Sequence, residues 1–384
     1  MPEPAAPHPD VVPPEHPLRV DLTDAAFDRY WKSGSLKYRD FEPLTEGGTA
    51  TLRTCLDINL NRRVVYKQLH PHLADDDTEV ARFLREARVT ANIPHPGTAP
   101  VYEIGRDKAG HVYFTMKRLD GRDLRSILQA LSARDRPTEA AYPLARRVDL
   151  VLSAARTLRY AHRSGVVHRD LKPANLLVDA FGEVTVLDFG LAKVRGEPAP
   201  PGAERVTGKA GLALELTQPG RRFGTPLYMS PEQARGDATD ERTDVYGLGA
   251  ILFECLCLRP LVFGQDLDEV VDQILERPLP RPRDVAARAA EHTDTPVRPG
   301  PAGRPAPVPD DLDAVCVRCL QRDPADRYPD LDALIEDLQA ARDALDPAAA
   351  GPTASHARTR VLWAAGGVFL GLLLGGVITW TATR

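Results

Sequence analysis

The sequence predicts an α+β fold made of a small β-rich lobe, a larger helical lobe and one C-terminal transmembrane helix. Residues 38–117 alternate short β-like runs with a single helix. Beyond Gly121 the apolar residues recur with helical periodicity. Near the end of the chain, residues 361–380 form an uncharged run of about 20 residues, which is long enough to span a bilayer.

Net charge and cysteine spacing argue against two classes of protein, nucleic-acid-binding proteins and secreted disulfide-rich proteins. The formal net charge is −5 and the basic residues form no long run, which argues against a nucleic-acid-binding face. The five cysteines lack the spacing of a secreted disulfide framework and suit a reducing compartment. Cys316 and Cys319 are spaced like half of a metal site, but no second Cys or His pair follows them. Burial in the core is therefore the favoured interpretation.

The chain divides into a tail, a folded domain and a membrane segment. The predicted segments are, in chain order, a proline-rich disordered tail (1–37), a domain (38–345) with a small lobe (38–117) and a large lobe (122–345), a juxtamembrane linker (346–360) and a transmembrane helix (361–380). Proline is also concentrated at 198–201 and 278–309, and these two stretches are predicted to be loops.

Individual elements follow from local patterns. In the small lobe, strands are predicted from Leu52 onward, at 63–69 and at 111–116, and a helix at 77–92 carries acidic residues in its first turn. In the large lobe, we predict two long helices and two short strands, at 144–163, 240–257, 176–178 and 184–187.

Two short motifs carry the chemistry. The first is His168-Arg-Asp-Leu-Lys-Pro-Ala-Asn175, and the second is Asp188-Phe-Gly190. Asp170 can accept the proton of an incoming hydroxyl, and Lys172 can reach a transferring phosphate. Asn175 and Asp188 offer the hard oxygen ligands that suit Mg²⁺, so both are candidate metal ligands.

These motifs resemble those of the protein kinase family. The Lys-Pro-x-Asn ending after Asp170 resembles the serine/threonine branch of that family. The segments 228–233 and 242–246 are most similar to bacterial, membrane-bound kinases of the eukaryotic-like type. The resemblance covers roughly residues 38–345 and implies a two-lobed kinase fold, ATP and Mg²⁺ as cofactors, and transfer of the γ-phosphate to protein Ser/Thr hydroxyls. Catalytic roles are implied for Asp170, Lys172, Asn175 and Asp188.

The resemblance also implies a nucleotide site between the lobes. Lys67 matches the lysine that holds the α and β phosphates, and Glu86 matches the glutamate that pairs with it. The glycine-rich loop departs from the family pattern, because Thr45 and Ala50 stand where glycines are usual. The remaining implied nucleotide contacts are Gly47, Gly48, Leu44, Leu52, Val65 (where alanine is usual), Met116 and Leu119.

Several further residues match supporting positions of the family. His168 matches a histidine that supports the catalytic loop, and Asp244 matches a helix acid that anchors it. Asp123 has two readings, a ribose contact or a helix N-cap. The resemblance also implies an activation segment over 188–232 that phosphorylation orders through Arg169. The other implied positions are a phosphorylation site at Thr217, a contact of Thr225 with the catalytic residues, and a buried pair between Glu232 and Arg327.

The terminal segment suggests where the protein acts. Trp363 and Trp380 lie near the two ends of the apolar run, as aromatic belts do. Two arginines precede the run closely and one follows it, which predicts a single pass with the kinase domain in the cytoplasm. Glycines recur at every fourth position, which predicts a possible homodimer in the membrane, although small residues are common in such helices; they are Gly367, Gly371 and Gly375.

An active serine/threonine kinase signalling at the inner face of the membrane is the leading prediction. We expect protein substrates, activation by autophosphorylation of the activation segment, and no nucleic-acid partner. The altered glycine-rich loop leaves a pseudokinase open as the alternative. A third alternative is an adaptor that acts chiefly through its membrane helix and proline-rich segments.

Overall fold

The computed structural model describes residues 34–195, 226–264, 266–291 and 307–346. The small lobe is built on a five-stranded antiparallel sheet with the strand order β1-β2-β3-β5-β4. Its strands are Tyr38–Glu46 (β1), Ala50–Asp57 (β2), Arg62–Leu69 (β3), Val101–Arg106 (β4) and Val112–Lys117 (β5).

One helix packs on this sheet. Asp77–Ala91 (α1) begins after Asp76, whose carboxylate accepts hydrogen bonds from the backbone N–H groups of the first turn. The predicted helix at 77–92 is therefore confirmed to within one residue. Phe83 and Ala87 of α1 are buried in an apolar cluster beneath the sheet, together with Ala50, Leu69, Val112 and Phe114. We call this side of the sheet the inner face.

The opposite, outer face carries aromatic side chains. Tyr38, Tyr66 and Tyr113 are all buried, and the rings of Tyr66 and Tyr113 stack with centroids 4.4 Å apart. Successive side chains of a strand point to opposite faces. On β3, Tyr66 therefore marks the outer face and Leu69 the inner face, which places Val65 and Lys67 on the inner face as well.

The large lobe is helical, as its periodicity predicts. Its helices are Leu124–Ser132 (α2), Arg136–Ala141 (α3), Leu144–Arg163 (α4), Pro231–Arg235 (α5), Glu241–Cys257 (α6), Leu267–Leu275 (α7), Pro282–Glu291 (α8), Asp310–Cys319 (α9) and Leu331–Asp343 (α10). The predicted helix at 144–163 is confirmed over its full length. The helix predicted at 240–257 begins one residue later, because Asp240 is its N-cap.

The core of the large lobe is centred on α6. Every residue of α6 from Thr243 to Cys257 is buried, so this helix is enclosed on all sides. Cys316 and Cys319 of α9 are buried against it, and the Cys316 thiol donates to the Gly249 carbonyl at 3.5 Å. A side-chain carbon at Gly249 would overlap the Cβ of Cys319. Core packing, rather than metal binding, is thus the role of this cysteine pair among the described residues.

Short strands connect the helices at the lobe boundary. Arg122–Asp123 (β6), Leu176–Val178 (β8) and Val184–Val186 (β9) form a three-stranded sheet in the order β6-β8-β9. Val166–Val167 (β7) pairs with Lys193–Val194 (β10). The strand predicted at 176–178 is confirmed, and the one predicted at 184–187 ends one residue earlier. The first chemical motif, at 168–175, lies between β7 and β8, and the second, at 188–190, lies between β9 and β10.

Two sequence-based expectations need correction. Gly34–Lys37 form a 3₁₀ turn, and the Lys37 ammonium pairs with Glu103 at 2.6 Å, so the last four residues of the predicted tail are structured. Part of the proline-rich stretch 278–309 is the helix α8. Pro282 occupies its first turn, where the missing N–H costs no hydrogen bond, and the alanines that follow favour helix.

Several predicted features lie outside the described residues. They include the tail up to residue 33, Thr217 and Thr225 of the activation segment, most of the linker, and the whole apolar run at 361–380. Among the residues that are described, no helix combines the length and the apolar character needed to cross a membrane.

Candidate active site

The catalytic-loop motif brings three of its polar side chains together. The Lys172 ammonium lies 2.6 Å from the Asp170 carboxylate. The Asn175 amide nitrogen donates to the backbone carbonyl of Asp170 at 2.8 Å and to its carboxylate at 3.3 Å. Because Asn175 donates through its nitrogen, its side-chain oxygen is left as the ligand atom. The predicted group Asp170, Lys172 and Asn175 is therefore assembled around one carboxylate.

The backbone on both sides of this group is held in an uncommon conformation. Arg169 has a φ of 69° and Asp188 a φ of 64°, in the left-handed region that side chains with a Cβ rarely adopt. Such positions cost of order 1–3 kcal/mol each and persist where the surrounding structure enforces them. Here the strain lies at the residue before Asp170 and at the first residue of the second motif.

His168 joins the two motifs and is fully buried. Its Nε2 donates to the carbonyl of Leu187 at 3.0 Å, and its Nδ1 accepts from the backbone N–H of Asp170 at 3.2 Å. Its ring also contacts the ring of Phe189 at 4.7 Å between centroids. These contacts make His168 a support of the loop, as its resemblance implied.

Asp244 of α6 anchors the backbone of the catalytic-loop motif. Its carboxylate accepts from the backbone N–H groups of His168 and Arg169, both at 2.8 Å, and from Nε2 of His162 at 2.7 Å. Burial by itself raises the pKa of Asp244, but the hydrogen bond and charge of His162 outweigh it, so the pKa lies below its ordinary value. His162 was not foreseen from the sequence.

A second charged group lies on the inner face of the small lobe. The Lys67 ammonium is 2.5 Å from the Glu86 carboxylate of α1. Burial lowers the pKa of Lys67, but Glu86 and Asp188 more than offset it and the net shift is upward. Burial raises the pKa of Asp188, whereas Lys67 and then Lys172 bring it below its ordinary value. Asp188 therefore interacts electrostatically with a lysine of each lobe, Lys67 of the small lobe and Lys172 of the large lobe.

The strand register places three of the predicted nucleotide contacts, Leu52, Val65 and Met116, on the same face of the sheet as Lys67. Leu52 is the cross-strand partner of Lys67, and Val65 is the partner of Met116. Directly opposed residues point to the same side of a sheet. Leu52, Val65, Lys67 and Met116 thus share the inner face. Leu44 lies on β1 with 54% of its surface exposed, and Leu119 follows β5 in the connection between the lobes.

The glycine-rich loop is the turn between β1 and β2. Gly47, Gly48 and Thr49 connect the strands, and the Gly47 N–H donates to the Ala50 carbonyl at 2.9 Å. Ala50, which stands at an expected glycine position, is buried in the inner apolar cluster. Its methyl group therefore packs under the sheet.

Asp123 forms the helix N-cap that was one of its two predicted roles. Its carboxylate accepts from the backbone N–H and the hydroxyl of Ser126, at 2.9 and 2.6 Å, and so caps α2. An N-cap of this kind is typical of a short polar residue before an apolar helical run.

The expected buried ion pair is formed in the large lobe. The Arg327 guanidinium holds Glu232 through two bonds of 2.9 and 2.7 Å, and Thr243 donates to the same carboxylate at 2.8 Å. One contact was missed from the sequence. Gln233 donates to the backbone carbonyl of Arg169 at 2.8 Å and also completes a capping box with Ser230. The Ser-x-x-Gln spacing was the available signal for that helix start.

The residues present suit a magnesium ion bound with a polyphosphate. Mg²⁺ is usually held in proteins by one or two carboxylates together with substrate phosphates and water. Asp188 offers a carboxylate whose lowered pKa keeps it ionised, and Asn175 offers an amide oxygen. In the described ranges, no group of three or more Asp, Glu, His or Cys side chains is placed to hold a metal ion by itself. Substrate phosphates and water are the further ligands that Mg²⁺ usually takes.

Comparison with known proteins identifies the family. The model of the protein kinase domain matches residues 38–337, which is most of the chain. The chain belongs to the protein kinase family. It is 37% identical over 251 residues to the DNA damage-responsive serine/threonine-protein kinase RqkA of Deinococcus radiodurans, covering 65% of this chain and 34% of the relative.

Two further kinases match longer stretches of the chain at slightly lower identity. A probable serine/threonine-protein kinase of Streptomyces coelicolor is 33% identical over 304 residues, or 78% of this chain and 39% of the relative. The serine/threonine-protein kinase PknB of Mycobacterium tuberculosis is 32% identical over 335 residues, or 86% and 47%. The chain therefore resembles bacterial serine/threonine kinases and spans a third to a half of their length.

Proposed function

We propose that this chain uses ATP and Mg²⁺ to phosphorylate serine and threonine hydroxyls of proteins. The observation that carries the proposal is the assembled set of charges around Asp188. The Lys67–Glu86 pair is closed at 2.5 Å, and Asp170 is held by Lys172 and Asn175. A decayed member of the family usually lacks one of these groups, whereas all of them are present here, with Lys67 paired to Glu86 and Asp170 bound by Lys172 and Asn175.

In the proposed reaction, Asp170 serves as the proton acceptor. The substrate hydroxyl oxygen forms a bond to the γ-phosphorus of ATP, the bond from that phosphorus to the β–γ bridging oxygen breaks, and ADP leaves. Asp170 accepts the hydroxyl proton, and Lys172 stabilises charge on the phosphoryl oxygens. Asn175 and Asp188 are the residues that would hold Mg²⁺, which would supply positive charge to neutralise the phosphate oxygens.

Lys67 and Glu86 position the nucleotide in this proposal. The raised pKa of Lys67 keeps its ammonium charged for the α and β phosphates. Glu86 fixes the direction of that ammonium, so α1 must stay packed against the sheet for the site to be complete. Leu52, Val65 and Met116 supply the apolar surface that would receive the adenine ring.

Phosphorylation of the activation segment is the proposed means of activation. Burial lowers the pKa of the Arg169 guanidinium, and its Nε has no hydrogen-bond partner among the described residues. A buried cationic donor left without a partner is costly, so this atom suits an anionic group. A phosphate on Thr217, added by a second copy of the kinase, is the occupant that we propose.

The membrane location is also a proposal. It is supported only by the sequence, through the uncharged run at 361–380 and the arginines on its N-terminal side. In this arrangement the kinase domain lies in the cytoplasm and signals from the inner face of the membrane. Glycines along one side of the run would favour a homodimer.

A phosphate-transfer assay on the full chain tests the enzymatic proposal. We expect labelled phosphate from the γ position of ATP to enter protein serine and threonine. Asp170→Asn should lower the rate by about 10²–10⁴-fold, because the proton acceptor is lost, with little change in thermal unfolding. Asp188→Asn should also abolish transfer. Asp272→Asn, an exposed carboxylate on α7, is the matched control and should transfer normally.

Phosphate transfer and ATP binding, measured together, separate the alternatives. A pseudokinase would bind ATP but transfer no phosphate, and an adaptor would bind none. Transfer by Asp170→Asn at the wild-type rate would refute the role given to Asp170.

A further inference from the structure

His70 ties the end of β3 to the glycine-rich loop. Its backbone N–H donates to the carbonyl of Thr49 at 3.0 Å, which continues the pairing of β2 and β3 by one residue. Its side chain reaches further along the turn. Nε2 lies 2.8 Å from the carbonyl oxygen of Gly47, and Nδ1 lies 3.4 Å from the hydroxyl of Thr51.

These contacts define the hydrogen-bonding role of the ring. A carbonyl oxygen only accepts, so Nε2 carries the proton and donates to Gly47. Nδ1 of the neutral ring then accepts from the Thr51 hydroxyl. Since Nε2 also carries a proton in the imidazolium form, the bond to Gly47 is available to both charge states of His70.

His70 approaches the loop from the outer face of the sheet. Its backbone is extended, with φ −60° and ψ 138°, so the alternation of β3 continues through it. Leu69 points to the inner face, and His70 therefore points to the outer face with Tyr66 and Gln68. Thr51 is the cross-strand partner of Gln68, and its contact with His70 agrees with this placement.

The contact with His70 fixes the orientation of the Gly47–Gly48 peptide group. The bond from His70 draws the Gly47 carbonyl toward the outer face. In a trans peptide the C=O and the following N–H point in opposite directions, so the N–H of Gly48 is directed to the inner face. That is the face of Lys67. Among the described residues the Gly48 N–H has no hydrogen-bond partner, which leaves this donor available.

We propose that His70 is a positioning residue for the triphosphate of the nucleotide. It holds the Gly47–Gly48 peptide with the carbonyl turned away from the phosphates and the N–H turned toward them. Glycine is absent at positions 45 and 50, so the loop has fewer glycines to adopt a phosphate-binding shape by itself. A side-chain tether from β3 offsets that loss. The inference rests on the proposed nucleotide binding.

Binding of Mg·ATP and of adenosine to the full chain tests this role without requiring turnover. Adenosine has the ring and the sugar but no phosphate. We expect His70→Leu to weaken Mg·ATP binding by about tenfold, the effect of losing one well-directed hydrogen bond to a charged group. Adenosine affinity should be unchanged. His70→Gln keeps an N–H donor at similar reach and should bind Mg·ATP nearly as the wild type does.

His72→Leu is the matched control. The His72 ring stacks on His70 at 5.3 Å but is exposed, and it makes no bond to the loop in the described part of the chain. Its Mg·ATP affinity should therefore stay at the wild-type value. Equal Mg·ATP affinity of His70→Leu and the wild type would overturn the proposal, and so would a parallel loss of adenosine binding. If the variants show the expected Mg·ATP and adenosine affinities but the wild-type chain transfers no phosphate, the proposed function is refuted and the role of His70 is not.

Discussion

Asp244 illustrates how one buried carboxylate organises the candidate site. Its side chain is fully buried and accepts three hydrogen bonds, two of them from consecutive backbone N–H groups of the catalytic loop. One of those residues, Arg169, has the strained left-handed conformation. The carboxylate therefore stabilises the strained backbone of the loop, and it does so most strongly while it is ionised.

The stability of the protein should accordingly depend on the charge of Asp244. Its folded pKa lies below the ordinary value of about 3.9, so its stabilisation is present above that value and is lost as pH falls through the folded pKa. We expect Asp244→Asn to be less stable than the wild type at pH 7. We also expect its free energy of unfolding to fall less steeply between about pH 5 and pH 3.

Urea unfolding across this pH range provides the measurement. Glu232 also has a pKa below its ordinary value, where the bonds from Arg327 outweigh burial, so both proteins should keep some acid sensitivity. The contribution of Asp244 is the difference between the two slopes. Identical slopes would contradict the assignment.

At the scale of elements, the short helix α5 is held by an ion pair rather than by its own length. Five residues are too few for a stable isolated helix. Glu232 on α5 is bound by Arg327, which lies on the connection before α10 and is only 2% exposed. Gln233 of the same helix holds the carbonyl of Arg169. The pair therefore connects the distant end of the domain to the catalytic loop.

Removing one partner of this pair should be costly. Arg327→Ala leaves a buried carboxylate without its cation, and we expect a loss of about 3–5 kcal/mol in the free energy of unfolding. Arg277→Ala is the matched control, because its pair with Asp272 is exposed on both sides and should contribute about 0–1 kcal/mol. Chemical denaturation of the two variants measures the difference. Equal losses would show that burial of Arg327 confers no special role on the pair.

At the scale of the whole molecule, the proposed membrane span would set the local concentration of the kinase. Activation by a second copy requires two domains to meet, and confinement to a membrane raises the chance of that encounter. Replacing Gly371 and Gly375 by Ile should block close packing of two spans. We expect less crosslinked dimer and less phosphate on Thr217 for the full chain in membranes.

Orientation is tested separately, on intact cells that contain the full chain. Protease added to intact cells should spare the kinase domain if it lies in the cytoplasm, and digestion of the domain would reverse the proposed topology.

Unchanged crosslinking of the isoleucine variant would contradict the proposed dimer contact and leave the glycines as ordinary small residues of the span.

The sequence by itself determined the two-lobed fold, the family and the three longest described helices. The helix at 144–163 was predicted over its whole length, because a long amphipathic pattern between polar ends depends only on local periodicity. Asp170, Lys172 and Asn175 were predicted as one group because they lie within six consecutive residues, whose separation in space is limited by the chain.

Only the tertiary structure decided which distant groups meet. The bonds of His162 and of the loop to Asp244 join residues more than 70 positions apart, and no local pattern encodes such a contact. The same holds for His70, whose role depends on the register of β3 against β2 and on the face of the sheet that it occupies. The helix α8 was missed because proline favours loops in general, whereas its position in the first turn of a helix is decided by packing against the rest of the lobe.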